Sequence, residues 1–435
     1  MSASSLLLTL LALAGTTPAE ADRARIQAKA EAKVSQTLAD RGLRVGGTTC
    51  RRSGGWSCRW RAADEIAGWT YRCDGAASLP AGLGTVDVER CHRRAPVLAP
   101  LDAEPTTPAF GFNEGWRERP DLLDEAQAAG ADTNRFVVSW MSVQPRRDVS
   151  RWDLYDPIYD SMLEAGARPV LVLISAPCWA QAAPPGPCRE EREAARPPAR
   201  RHVADFARFA AAAAKRYPEA LAIEIWNEPN SGAFWRARRP DPALYAEMLA
   251  AARRAVGRDR SDLPVVSGGL APFGSTRDDH FAAHEFLDRV YRATPGSSGA
   301  IADAIAVHPY PGDGRTPTRR VRTLLAQAKA VQIRHGDAHT PLWVTEVGLS
   351  TSSAERVSEL GQARGLVAIY ETLRRVPGVP VVLFHRLTDL REGPSSPESG
   401  WGVLEAGGAA KPAYCSLAGA VAAASGADLS APEGC

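Results

Sequence analysis

The chain has 435 residues, of which 45% are hydrophobic and 23% charged, the balance of a folded globular protein and not of a disordered, collagen-like or coiled-coil one. Lys and Arg number 52 against 50 Asp and Glu, and a formal net charge of +2 gives no field for phosphate backbones, so no nucleic-acid partner is expected. At roughly 100–200 residues per domain the length suits two or three domains.

In chain order, residues Leu6 to Ala14 form an apolar run too short to cross a bilayer, and Ala19-Glu20-Ala21 precedes Asp22. The pattern predicts a signal peptide over 1–21 and a secreted, extracellular protein, although no Lys or Arg precedes the apolar run. No later stretch is long and apolar enough for a membrane span. The eight cysteines include no CxxC, which favours structural disulfides in an oxidising compartment over a metal site.

From Asp22 to Ala39 the composition is that of a helix. Short runs around Trp56–Trp60, Gly68–Cys73 and Thr85–Cys91 then predict an antiparallel meander. Residues 22–95 are therefore expected to be a small disulfide-stabilised α+β domain. Its core is marginal, and Cys50, Cys58, Cys73 and Cys91 would supply two bridges whose pairing stays open. Trp56, Trp60 and Trp69 are either its core or a surface for glycan or envelope. Residues 96–108, with four prolines, read as a linker.

Beyond Ala109, strand-like runs at 109–113, 135–140, 169–175, 221–227, 264–269, 304–309, 341–346 and 380–386 alternate with helix-like runs at 120–130, 153–166, 200–216, 242–257, 278–293, 318–334 and 353–375. Eight such units over 109–435 predict an α/β fold, a (β/α)8 TIM barrel with its site at the C-terminal strand ends. A doubly wound open sheet is the alternative, but no GxGxxG follows the first strand.

Two strand ends carry glutamates. The fourth runs out in Ile225-Trp226-Asn227-Glu228-Pro229-Asn230 and the seventh in Trp343-Val344-Thr345-Glu346-Val347-Gly348. One such glutamate alone would read as a salt bridge. Two on one rim form the paired carboxylates that, about 5–5.5 Å apart, cleave glycosides with retention.

The Trp-Asn-Glu-Pro-Asn and Thr-Glu-Val-Gly strings resemble glycoside hydrolase clan A, the retaining (β/α)8 enzymes, family 39 or family 5 above all, over about residues 109–425. The resemblance implies Glu228 as acid/base, Glu346 as nucleophile and Asn227 on the sugar 2-hydroxyl. It further implies that Arg135, His308 and Tyr310 lie beside Glu346. Trp116, Trp140, Trp179, Trp235 and Trp401 follow strand ends and are candidates to stack on sugar rings, Trp140, Trp179 and Trp401 being assigned to substrate. Where the clan presents a Trp after strand eight, this chain has Phe384-His385-Arg386, a gap that Trp401 could fill.

His280 and His284, the latter followed by Glu285, are two histidines one helical turn apart, but no third ligand is evident and the HEXXH order is absent, so neither a metal nor an organic cofactor is expected. No GxSxG supports a serine hydrolase. The expected protein is a secreted, monomeric, retaining glycoside hydrolase that cleaves β-glycosidic bonds of an oligo- or polysaccharide by double displacement. The alternative is a catalytically weak carbohydrate-binding or cell-envelope protein on the same barrel. Cys178 is expected to pair with Cys188, and Cys415 with Cys435.

Overall fold

The computed structural model describes residues 17–89, 92–97, 104–114, 119–182, 196–235, 239–294, 299–312, 315–352, 356–390, 399–426, 432 and 434–435. The Leu6–Ala14 run, Trp116, Cys91 and Cys188 lie outside them. The chain divides into two compact units, residues 1–98 and 99–435.

In the first unit a helix spans Pro18–Asp40. Its start is set by a capping box in which Thr17 and Glu20 satisfy each other's backbone N–H groups, with Pro18 at the first turn. The predicted helix began at Asp22, but the capping signal lies inside the stretch assigned to the signal peptide. Ala30, Val34 and Leu38, one helical turn apart, pack on the inner face of an antiparallel sheet built from β1 (Arg44–Ser53), β2 (Gly55–Ile66), β3 (Trp69–Leu79), β4 (Asp87–Val88) and β5 (His92–Val97). Trp56, Trp60 and Trp69 are buried, which settles them as core. Cys50 and Cys58 lie opposite each other in register and are bridged. Cys73 is also disulfide-bonded.

The second unit is a parallel eight-stranded barrel: β6 (Ala109–Asn113), β7 (Thr133–Ser139), β8 (Arg168–Ile174), β9 (Ala222–Ile225), β10 (Val265–Ser267), β11 (Ile305–Val307), β12 (Leu342–Val347) and β13 (Val381–Phe384). The sheet order is β10-β9-β8-β7-β6-β13-β12-β11, and bridges between Val266 and Ala304 and between Leu270 and Val307 join its two ends. The eight strands match the predicted runs to within a few residues. The lower interior is filled by Val170, Ala222, Val266, Ala304, Ala306, Trp343, Val381 and Leu383, small residues making room for one indole. Helices cover the outside through apolar stripes such as Phe206, Phe209, Ala210 and Ala213 of Val203–Arg216.

Part of the predicted linker is not free. The Thr106 N–H donates to the Arg374 carbonyl at 2.7 Å and the Thr107 hydroxyl to the Ala424 carbonyl at 3.0 Å, so the chain reaches β6 along the barrel's own helices. Cys415 is bridged to Cys435 as expected. Cys178 is disulfide-bonded, but the expected pairing rests on Cys188 and so falls outside the described residues. No helix among the described residues is long and apolar enough to cross a membrane.

Candidate active site

The short strand β9 positions one wall of the barrel mouth. After Ile225 the backbone leaves the sheet through Trp226 (φ 74°) and Glu228 (φ 40°), both in the left-handed region that side chains disfavour. Hydrogen bonds from several side chains hold this turn. Buried Asn230 donates to the carbonyls of Ala271 and Phe281 and accepts from the Ala271 N–H, all within 3.0 Å. Trp226 and Trp235 are anchored through their indole N–H groups to the Phe234 and Pro229 carbonyls. The strained turn directs Glu228 toward β12, where Glu346 stands at the strand end.

The two carboxylates and His308, which follows β11, each offer an atom within 4.8 Å of the others'. His308 Nδ1 lies 3.2 Å from Glu228 Oε1 and 3.6 Å from Glu346 Oε2. Glu346 is held on both oxygens: Oε1 accepts from Arg135 at 2.5 Å and Asn113 at 3.2 Å, and Oε2 accepts from the Tyr310 hydroxyl at 2.8 Å. Burial pushes the Glu346 carboxyl up, but His308, Arg135 and His385, with the Tyr310 hydrogen bond, outweigh it and hold the group well below the ordinary carboxylate range. Burial and the facing Glu346 charge push the Tyr310 phenol up, so it stays a donor.

Arg135 is the hub. It forms a bidentate pair with Glu224 (2.8 and 2.9 Å), donates to Asn227 Oδ1 at 2.6 Å and Asn113 Oδ1 at 3.0 Å, and is buried with Glu224. Glu224 also accepts from the Gly269 N–H at 2.8 Å. Gly269 must be glycine because a Cβ there would overlap the His308 ring.

Sequence reasoning named Arg135 but missed Glu224 and Asn113. The sequence offers only a glutamate flanked by apolar residues in Ala222-Ile223-Glu224-Ile225; in the structure that strand is wholly buried, and a charge so placed needs a partner.

The structure thus brings together Glu228, Glu346, Asn227, Arg135, His308 and Tyr310. Trp401 joins them, its ring 5.2 Å from that of Tyr310 and 6.0 Å from that of His385, so the indole and imidazole share the place after β13. The His385–Arg386 peptide bond is cis. Trp140 is fully buried in a short helix, Trp140–Val143, packed on Phe206 and Phe209, and offers no face to a ligand. Trp179 lies beneath the Arg147 guanidinium, 4.4 Å away, in a separate cavity of about 340 Å³ with Trp152 and Asp205. Trp235 is likewise buried.

Glu228, His308 and Glu346 could in principle hold a cation. The donors already on both Glu346 oxygens and the adjacent guanidinium oppose one, and favour proton and nucleophile chemistry instead. His280 stacks on Phe273 and pairs with Asp279, and it forms no metal-capable group with His284 among the described residues.

Because Glu346 is depressed in the folded state, its ionised form adds stability above the ordinary glutamate range, and that stability is lost as pH falls through the lowered value. Tyr310→Phe should move the acid limb of any Glu346-dependent activity upward, read from pH profiles of kcat/KM.

The fold and site define a (β/α)8 protein with paired carboxylates at the C-terminal rim. Solved structures with the same fold include a family 39 glycoside hydrolase from Bacteroides cellulosilyticus WH2 (17% identity over 87% of this chain and 82% of that one, TM-score 0.55). A monomeric beta-xylosidase from Caulobacter crescentus CB15 shares 20% identity over 73% of this chain and 69% of its own, at a TM-score of 0.55. A GH5_18 protein from Streptomyces cattleya in complex with GlcNAc shares 21% over 73% and 80%, at 0.52. No protein-family model and no curated protein matches the sequence.

Proposed function

We propose that the chain is a secreted retaining glycosidase acting on a β-linked glycan. The observation that carries this is the pair of carboxylates, an oxygen of one within 4.8 Å of an oxygen of the other, with Glu346 held well below the ordinary carboxylate range. That closeness favours the about 5–5.5 Å separation of retaining carboxyl groups over the about 6.5–9.5 Å of inverting ones. The solved relatives of the same fold, glycoside hydrolases of families 39 and 5, agree with it.

Glu346 attacks the anomeric carbon as the bond to the leaving oxygen breaks, and Glu228 gives that oxygen its proton. The resulting glycosyl ester on Glu346 is then cleaved by water, whose proton returns to Glu228. Oε1 of Glu346 is occupied by Arg135 and Asn113, so Oε2, held by Tyr310, supplies the attacking lone pair. Asn227 has its oxygen bound to Arg135, which leaves its amide N–H groups for a sugar hydroxyl.

Proton NMR of aryl β-glycoside hydrolysis should show the β-anomer of the sugar as first product, and EDTA should leave the rate unchanged. An α first product would exclude double displacement.

A further inference from the structure

The N-terminal sheet has a face that its own core leaves unused. Strand alternation turns Cys58, Trp60 and Ala62 of β2 toward the helix and sends Arg59 and Arg61 to the opposite side. Register places Arg51 of β1 opposite Ser57, and Arg72 of β3 opposite Ala63, on that same side. Arg51 and Arg59 are thus diagonal neighbours, Arg59 and Arg61 are two residues apart, and Arg61 and Arg72 are again diagonal. Each step is about 7 Å, so four guanidinium groups form a stripe about 20 Å long.

All four are exposed. Elsewhere in the unit Arg25 pairs with Asp22 and Arg44 with Glu65, whereas these four have no ion-pair partner among the described residues. The residues between them are small, and Gly47, Thr49 and Ala76 leave a cavity of about 480 Å³ bordered by Arg59, Arg61 and Asp74.

We infer that this face binds an acidic polysaccharide, a chain of sugar rings carrying spaced carboxylates. The guanidinium fork matches a carboxylate in a bidentate way, and Glu89 at the cavity can accept from sugar hydroxyls. One positive charge per about 7 Å is far sparser than duplex DNA, with its negative charge every ~1.7 Å. The choice of a sugar polymer rests on the glycosidase reading.

The test is binding of the full chain to polygalacturonate at low salt, beside turnover of aryl β-glycosides on the same samples. The unaltered chain should bind, and Arg59→Gln combined with Arg61→Gln should weaken binding by at least about tenfold, the loss expected when charged hydrogen bonds go. Arg23→Gln combined with Lys29→Gln removes the same charge from the exposed helix surface and should leave affinity within about twofold, because screening confines the effect to close contacts. Turnover should be unchanged in both. Absent binding by the unaltered chain, equal weakening by the helix control, or tighter binding to duplex DNA than to polygalacturonate would each overturn the proposal. A chain that turns over aryl glycosides but ignores polygalacturonate refutes this surface alone; one that binds in the predicted pattern without any turnover supports the surface and refutes the glycosidase reading.

Discussion

Glu346→Ala should lower kcat/KM for aryl β-glycosides by about 10⁴-fold or more while leaving the protein folded, because without a nucleophile no glycosyl ester can form. The fold should survive, since Arg135 keeps Glu224 and Asn227 as partners and no buried charge is stranded. Azide, which needs no deprotonation, should enter the vacated space and give a glycosyl azide of inverted configuration. Glu228→Ala should behave differently: substrates with activated leaving groups would still form the glycosyl-enzyme, its hydrolysis would slow, and azide would yield the β-azide. If Glu228→Ala gave the inverted azide instead, the two roles would be exchanged.

The second large effect is on stability. Arg135→Met removes the guanidinium shared by two buried carboxylates, and stranding a buried charge costs about 3–5 kcal/mol. Denaturant melts should show that loss together with loss of activity. Adding Glu224→Leu should recover much of the stability, because an apolar pair of similar volume can replace a buried ion pair, yet no activity should return. A variant Arg135→Met within about 1 kcal/mol of the unaltered protein would contradict the hub role.

The eight strands were legible because each is a short apolar run punctuated by helix-forming sequence, and Glu228 and Glu346 stood out as charges at the ends of two such runs. Glu224 escaped because a single glutamate in a four-residue strand looks like an outward-facing residue; only the barrel's closure shows that it faces Arg135. The tryptophans mark another limit. Trp140 and Trp401 both follow strand ends in the sequence, but one folds back under Phe206 and Phe209 while the other reaches Tyr310. Which occurs depends on the loop path, and periodicity carries no record of that. The start of the first helix is written in the sequence as Thr17-x-x-Glu20, but the apolar run before it reads as a leader and masks that signal. The arginine stripe needed the strand register, since Arg51, Arg59, Arg61 and Arg72 are scattered along the chain.

The central claim is that Glu346 becomes covalently bonded to the sugar. The most direct measurement is mass spectrometry of the intact protein and its peptides after incubation with a 2-deoxy-2-fluoro β-glycoside bearing an activated leaving group, which slows breakdown of a glycosyl ester more than its formation. The account predicts a mass gain of one fluorosugar, located on the peptide containing Thr345-Glu346-Val347. An adduct on Glu228, or turnover of aryl β-glycosides with inverted product and no adduct at all, would contradict it.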